Sequence, residues 1–298
     1  MRLDTLWEAP ARGPAALPEA LQRSYGGDLR LPSGGRSPYV VANFVSSADG
    51  VASYQLPRAA GGGTISGNDA GDRFTMGLLR AASDAVIVGA STLRAAGRLA
   101  LWHPGYTCPA ARAAFTRWRA AEGRPEWPLL VVVTRSGDLD PGCAALQAPA
   151  ARVLILTSSA GAERLQPRLR RVRAKVQMRV VAAGGHALPV AAMVGLLRRE
   201  FAVRRLLHEG GPTLFGEFLA AGALHELFLT IAPRLSGRSL AAQRPGIIAG
   251  QAFSPAGSPR LRPLSVKSHA GLLLLRYAVV PAASGAGKPS SRRSSAAL

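Results

Sequence analysis

One segment gathers the residue types of a ligand site: Arg204-Arg205-Leu206-Leu207-His208-Glu209-Gly210-Gly211-Pro212-Thr213-Leu214-Phe215. Val203, Leu206 and Leu207 read as a buried strand that ends on a carboxylate, Glu209, followed by two glycines. Pro212 and Thr213 then open a segment with helical spacing, Leu214, Phe218, Leu219 and Leu224. A strand, a glycine pair and a helix start make an anion site, because the first helical turn presents unpaired N–H groups at the positive dipole end. Glycine lets a phosphate approach the backbone without meeting a Cβ. Glu209 then stands at the carboxyl end of a strand, where open α/β sheets hold their ligands. The same letters also suit an ordinary strand-to-helix turn punctuated by glycine, and this segment alone leaves both readings open.

Three further segments end strands on small or polar residues. Asn43-Phe44-Val45-Ser46-Ser47-Ala48-Asp49-Gly50 breaks an apolar run with hydroxyls and an Asp-Gly turn, which is common punctuation by itself. Asp84-Ala85-Val86-Ile87-Val88-Gly89-Ala90-Ser91-Thr92 ends in glycine and hydroxyls, and Thr134-Arg135-Ser136-Gly137 closes another branched run. Glycine removes bulk where a cofactor lies close, and hydroxyls donate to phosphate or amide groups.

These segments need a scaffold, and the periodicity supplies one. Strands are expected at 39–45, 85–88, 129–134, 153–157, 176–182, 203–208, 227–232 and 272–279, and helices at 70–82, 110–122, 190–200 and 213–221. Strands alternating with helices give an α/β fold with a mostly parallel central sheet and helices on both faces. The last two strands lack a helix between them, so an antiparallel C-terminal edge is expected. Residues 1–37, rich in Pro, Gly and Ala, are expected to form an irregular N-terminal arm. Residues 282–298, Ser/Ala/Gly-rich with Lys288, Arg292 and Arg293, are expected to be a disordered basic tail. One domain between them is the economical reading.

Composition narrows the function classes. With 298 residues, 48% of them hydrophobic, the chain can bury a full core. No apolar run reaches the ~18–20 residues of a membrane span, and the C-terminal candidate is interrupted by Arg276. The start Met1-Arg2-Leu3-Asp4 does not read as a signal peptide, and Cys108 and Cys143 are isolated thiols, so a reducing cytoplasm is expected. His103, His186, His208, His225 and His269 are scattered without metal-ligand spacing, and no metal is expected. His208 reads more readily as a structural histidine at a strand end than as a catalytic one. The net charge of +20 invites a nucleic-acid reading. Only Lys175, Lys267 and Lys288 are lysines among the 37 basic residues, however, which points to codon composition acting on a solvated surface. The cluster Arg164, Arg168, Arg170, Arg171, Arg173 and Lys175 lacks aromatics that would stack on bases, so no specific nucleic-acid partner is expected.

Taken in order, Asn43-Phe44-Val45-Ser46-Ser47-x-Asp49-Gly50, Asp84-Ala85-Val86-Ile87-Val88-Gly89-Ala90-x-Thr92-x-Arg94 and Leu206-Leu207-His208-Glu209-Gly210-Gly211-Pro212-Thr213-Leu214 resemble the dihydrofolate-reductase-like reductase domain of riboflavin biosynthesis. The resemblance is to its stand-alone, actinobacterial pyrimidine reductase form, and covers about Pro38 to Val280 within a reductase domain expected at 38–281. It implies an NADPH-dependent reductase that works as a homodimer. A ribosylaminopyrimidine 5′-phosphate would be reduced to its open-chain ribitylamino form when the ring-opened imine accepts hydride. By the same resemblance Gly89, Thr92, Gly210, Gly211, Pro212, Thr213 and Leu214 would contact the cofactor. Glu209 would be a substrate-side carboxylate, and Asn43, Ser47 and Asp49 would line the nicotinamide and substrate cleft, with Glu209 and Asp49 as the catalytic pair. Thr134, Arg135 and Ser136 follow the next strand, where related folds hold the adenosine 2′-phosphate, and an arginine fork beside two hydroxyls suits that group.

The sequence also departs from the family pattern. Bifunctional bacterial members carry a lysine after the Asp-Gly, where this chain has Val51. They also carry an Asp-Asp-Pro after the glycine-and-threonine strand end, where this chain reads Leu93-Arg94-Ala95-Ala96-Gly97-Arg98-Leu99-Ala100. Arg94 and Arg98 are the candidates left to meet a substrate phosphate, and a solvated loop is the alternative. The cofactor half matches and the substrate half differs. That leaves room for a small heterocyclic substrate of another kind, such as a dihydropteridine or dihydrofolate, or for a module that binds NADPH or a flavin without catalysis.

Overall fold

Side chains that alternate along each central strand divide the interior into two cores, one on each face of a single sheet. The computed structural model describes residues 1–10, 16–56, 60–182 and 188–281; His186 and the tail 282–298 lie outside the described residues. The strands are β1 (Asp4–Glu8), β2 (Tyr39–Ser47), β3 (Ala85–Gly89), β4 (Leu129–Thr134), β5 (Arg152–Ser158), β6 (Lys175–Ala182), β7 (Arg205–His208), β8 (Glu226–Ala232), β9 (Arg260–His269) and β10 (Leu272–Val280). They form one ten-stranded sheet in the order β1-β9-β10-β8-β2-β7-β3-β4-β5-β6. From β8 to β6 every neighbouring pair is parallel, whereas β10, β9 and β1 run antiparallel at one edge.

Central parallel strands are covered on both faces, and the near-continuous apolar run of β4 reflects this. Val86, Val88, Leu130 and Val132 point into the first core with Phe74, Leu78, Phe115 and Trp118 from the helices Ala70–Ala82 and Arg112–Ala121. Ala85, Ile87, Leu129 and Val131 point into the second with Met193, Leu197, Phe215 and Phe218 from the helices Val190–Phe201 and Pro212–Ala220. The helix Ala70–Ala82 has a polar residue at each end. Asp69 accepts from the backbone N–H groups of Gly71 and Asp72 at its start. At its end Arg119, 1% exposed, donates Nη1 to the carbonyls of Arg80, Ala81 and Ser83. Burial lowers the Arg119 guanidinium to about 10.

The expected α/β architecture is present, with helices on both faces and the antiparallel C-terminal edge. Two parts of the chain differ from expectation. The N-terminal arm is not irregular throughout: β1 pairs with β9, a helix spans Glu19–Tyr25, and Leu3, Leu17, Leu21, Tyr25, Leu29 and Leu31 are buried in the first core. Its Pro and Gly residues punctuate packed pieces rather than dissolving them. The second difference is β9, whose Pro263 and charges read as loop. The register with β10 shifts between Arg276 and Tyr277, and Pro263 sits opposite Tyr277 at that irregularity, a position where a missing N–H is tolerated.

Candidate functional site

Parallel pairing brings the four segments singled out above to one edge of the sheet. Ala42 on β2 lies beside His208 on β7, His208 beside Ile87 on β3, and Gly89 on β3 beside Val133 on β4. The carboxyl ends of β2, β7, β3 and β4 therefore stand side by side, each turning into a loop or helix.

The turns after β3 and β7 touch. Gly89 caps the short helix Ala90–Ala95, and Gly211 caps Pro212–Ala220, which has proline in its first turn. A Cβ on Gly210 would come within 2.8 Å of Leu214 Cδ2 and 3.2 Å of the Gly89 nitrogen, and one on Gly211 within 3.0 Å of Thr92 Oγ1. A Cβ on Gly89 would meet nothing nearer than Ser91 Oγ at 3.7 Å. Neighbouring groups thus crowd the two glycines after β7, whereas the surface above Gly89 is open.

Residues 38–270 match the family model described as the RibD C-terminal domain. The chain belongs to the RibD C-terminal domain family. It is 28% identical over 200 residues to a 2,5-diamino-6-ribosylamino-4(3H)-pyrimidinone 5′-phosphate reductase of Methanothermobacter thermautotrophicus, spanning 67% of this chain and 80% of that protein. Among solved structures, a pyrimidine reductase-like protein from Corynebacterium diphtheriae superposes with a TM-score of 0.63 at 24% identity, covering 82% of this chain and 92% of the other. The riboflavin biosynthesis reductase Rib7 of Saccharomyces cerevisiae gives a TM-score of 0.57 at 14% identity, over 89% and 96%. At these identities the structures speak for the fold, and the dihydrofolate-reductase-like architecture is the one they share with this chain.

Within this RibD C-terminal domain several expected site residues do something other than what their motif implies. Glu209 does not stand free over the cleft. Arg80, from the last turn of Ala70–Ala82, donates Nε to Oε1 at 2.9 Å and Nη2 to Oε2 at 2.7 Å. Both side chains are buried, at 5% and 8% exposure, so the carboxylate is the anchor of its turn. Asp49 is likewise engaged. It accepts from Ser47 Oγ at 2.6 Å and from the backbone N–H groups of Ser236 and Gly237 at 3.0 and 2.7 Å. Those hydrogen bonds, that of Ser47 foremost, hold its carboxyl down at about 2, so it is ionised near neutrality. Ser47 is buried and also accepts from the Val51 N–H.

Asp49 belongs to a clasp. The irregular segment after β8 crosses the mouth of β2, where Arg238 donates to the carbonyls of Asp49 and Gly50 at 3.0 and 2.9 Å. The strap continues by accepting the Ala52 N–H at Pro245, and Ala249 donates to Pro212. Arg244 lies 4.8 Å over the Tyr54 ring, and hydrogen bonding from Ser236 with the nearby Arg234 and Arg244 lowers the Tyr54 phenol. A cleft of about 610 Å³ opens on this side, lined by Tyr54, Ser66, Asp69, Pro233, Arg234 and Leu235. Asn43 is half-buried on β2, and its amide has no hydrogen-bond partner among the described residues.

In the loops beyond β3 and β4 the expected site residues have partners within the chain. Arg94 pairs with Asp138 at 3.3 Å and Arg98 with Asp140 at 3.1 Å, both exposed pairs with the loop after β4. The Thr134 hydroxyl accepts from the Gly137 N–H, which turns it into its own loop. Ser136 is exposed, and its carbonyl accepts from Arg164. The guanidinium of Arg135 lies in the field of Glu217 on the helix Pro212–Ala220, whose carboxyl burial raises and Arg135 opposes. Leu214 turns its side chain into the second core, which leaves its backbone at the turn, while Thr213 is exposed.

His208 is fully buried against Phe44, Phe215 and Phe218, and burial lowers it to about 4. It is neutral and structural, in line with the sequence. Arg80, Arg238 and Arg244 escaped sequence reasoning. One signal was available for Arg80: a lone arginine between Leu78-Leu79 and Ala81-Ala82 on an apolar helix needs a buried partner.

Proposed function

We propose that this chain is an NADPH-dependent reductase of riboflavin biosynthesis, acting on a ribosylaminopyrimidine 5′-phosphate. The observation that carries this reading is the pair of touching glycine turns at the ends of β3 and β7. Gly210 and Gly211 are closely packed by their neighbours, Gly89 is open above, and the nine-residue helix Pro212–Ala220 starts at the turn. A dinucleotide fits such a cradle, because backbone N–H groups and a helix start bind phosphate where no Cβ intervenes. Gly89, Thr92, Gly211, Pro212 and Thr213 would hold it, with the Leu214 backbone. Arg135 and Ser136, exposed at the end of β4, would meet the 2′-phosphate that distinguishes NADPH from NADH.

When bound, the reduced nicotinamide supplies the hydride and the ring-opened imine carbon of the substrate accepts it. The chain aligns the two partners and keeps them in place. Asn43 offers an unpaired amide to the heterocycle, and the Asp49 clasp closes the β2 mouth beside it. The chain would act as a cytoplasmic homodimer, and the exposed Leu6 and Trp7 of edge strand β1 are consistent with a covered surface there.

One observation favours a shifted substrate as the second reading. Val51, at the position where bifunctional members carry lysine, is 0% exposed in a small apolar cluster with Ile65 and Ala232. No cation can act from that position. A substrate panel in the presence of NADPH separates the readings: turnover of the pyrimidine 5′-phosphate supports the first, and turnover confined to a dihydropteridine or dihydrofolate supports the second.

A further inference from the structure

Glu209, an expected site residue, is held by an arginine that no motif marked. Arg80 is 4% exposed in the first core. Its guanidinium gives two parallel hydrogen bonds to Glu209, a third from Nη1 to the Leu101 carbonyl at 3.0 Å, and lies 5.9 Å from the centre of the Trp102 ring. Glu209 is fixed at its backbone as well, where its N–H donates to Ile87 on β3 at 3.0 Å. The residue immediately before Gly210 is therefore held along two directions, by β3 and by Arg80. The helix that carries Arg80 is itself capped by Arg119, so the fork has a rigid base.

We propose that Arg80 is the positioning residue of the glycine turn, fixing the direction in which Gly210 and Gly211 leave β7 and thereby the affinity for the dinucleotide. The inference rests on the cofactor reading above. Its physical basis is that a planar, bidentate fork dictates the angle of the carboxylate it binds, which a point charge or an apolar pair cannot do. A buried ion pair that served stability alone would be replaceable by apolar side chains of similar volume, whereas breaking one partner strands a charge. The two roles therefore part in the double variant.

The test uses the full chain and compares Arg80→Lys, Arg80→Met and the double variant Arg80→Met with Glu209→Leu. Thermal melting follows the fold, and energy transfer from tryptophan to NADPH follows binding. Removing both charges restores most of the melting temperature lost in Arg80→Met, yet the double variant binds NADPH on the order of 10- to 100-fold more weakly than wild type. Arg80→Lys, which keeps the charge and loses the fork, falls between them. A folded double variant with wild-type NADPH affinity overturns the inference and leaves a stabilising pair only. Should the double variant not fold, Arg80→Lys decides, and unchanged affinity there overturns it equally. Failure of the wild-type protein to bind NADPH is a separate result and sinks the cofactor reading itself.

Discussion

Around Gly210 the chain holds itself through buried contacts: glycine against glycine turn, Leu214 folded beneath, and the Arg80–Glu209 pair sealed at 5% and 8% exposure. Around Asp49, at the end of a neighbouring β2, Ser47 is buried but the strap that holds the carboxylate is half-buried or exposed. A carboxylate accepts the backbone of an irregular strap, and arginines bind carbonyls in return. The first arrangement tolerates little change, since backbone and buried side chains have no room to adjust. The second can be rebuilt by substituting surface residues while the sheet beneath it stays as it is. On the proposed reading, the rigid half would bind the dinucleotide and the adjustable half would choose the substrate, in keeping with motifs that match the family pattern around Gly210 and depart from it at Val51.

Breaking the rigid half gives the largest effects. Gly210→Val places methyl groups against Leu214 and the Gly89 nitrogen, so NADPH binding falls by at least ~100-fold and stability drops by about 1–3 kcal/mol. Titration and a thermal melt of the purified variant check both. Glu209→Gln comes next, because it preserves shape and weakens the charge-assisted fork. The account expects cofactor affinity and turnover to fall together. A loss of turnover with unchanged NADPH affinity would return Glu209 to a substrate-side role.

His208 gives an effect of pH on the same half. Its imidazole is lowered from 6.5 to about 4 in the fold, so the unfolded chain takes up a proton first as the pH falls. Its stabilising contribution is complete above about 6.5 and is lost on descent towards 4, at most about 3 kcal/mol from the cited shift. Urea unfolding across that window, for wild type against His208→Phe, should show a shallower decline in the variant.

Effects on the adjustable half are smaller and of another kind. Asp49→Ala releases the strap, raising the substrate KM several-fold with little change in NADPH affinity, as steady-state kinetics and the titration together would show. Smallest of all, Arg98→Ala removes an exposed pair with Asp140 whose contribution lies within about 1 kcal/mol. Neither affinity nor melting temperature should move measurably, and a clear rise in substrate KM would restore Arg98 to the site.

Much of this was legible in the sequence where one rule dominated. The helix Ala70–Ala82 and the strand Leu129–Thr134 keep the bounds their periodicity implies, because each buries a continuous apolar surface. The turns themselves were legible because glycine after a branched apolar run marks a strand end. Strand β1 was not, since Asp4–Glu8 sits at an edge and carries no apolar alternation, and β9 was hidden by Pro263. At the site, the motif located Glu209 and Asp49 but gave no sign that their oxygens were already engaged. Their partners, Arg80 and the strap backbone at Ser236 and Gly237, lie 129 and more than 180 residues away along the chain. Pairing of that range is set by topology, which local spacing does not encode.

The most direct test is a fluorescence titration of the wild-type protein and Gly210→Val with NADPH and with NADH, repeated in high salt. The account predicts micromolar binding by wild type that prefers NADPH, persists in salt and disappears in the variant. Absence of binding to either nucleotide, or equal binding by Gly210→Val, would contradict it.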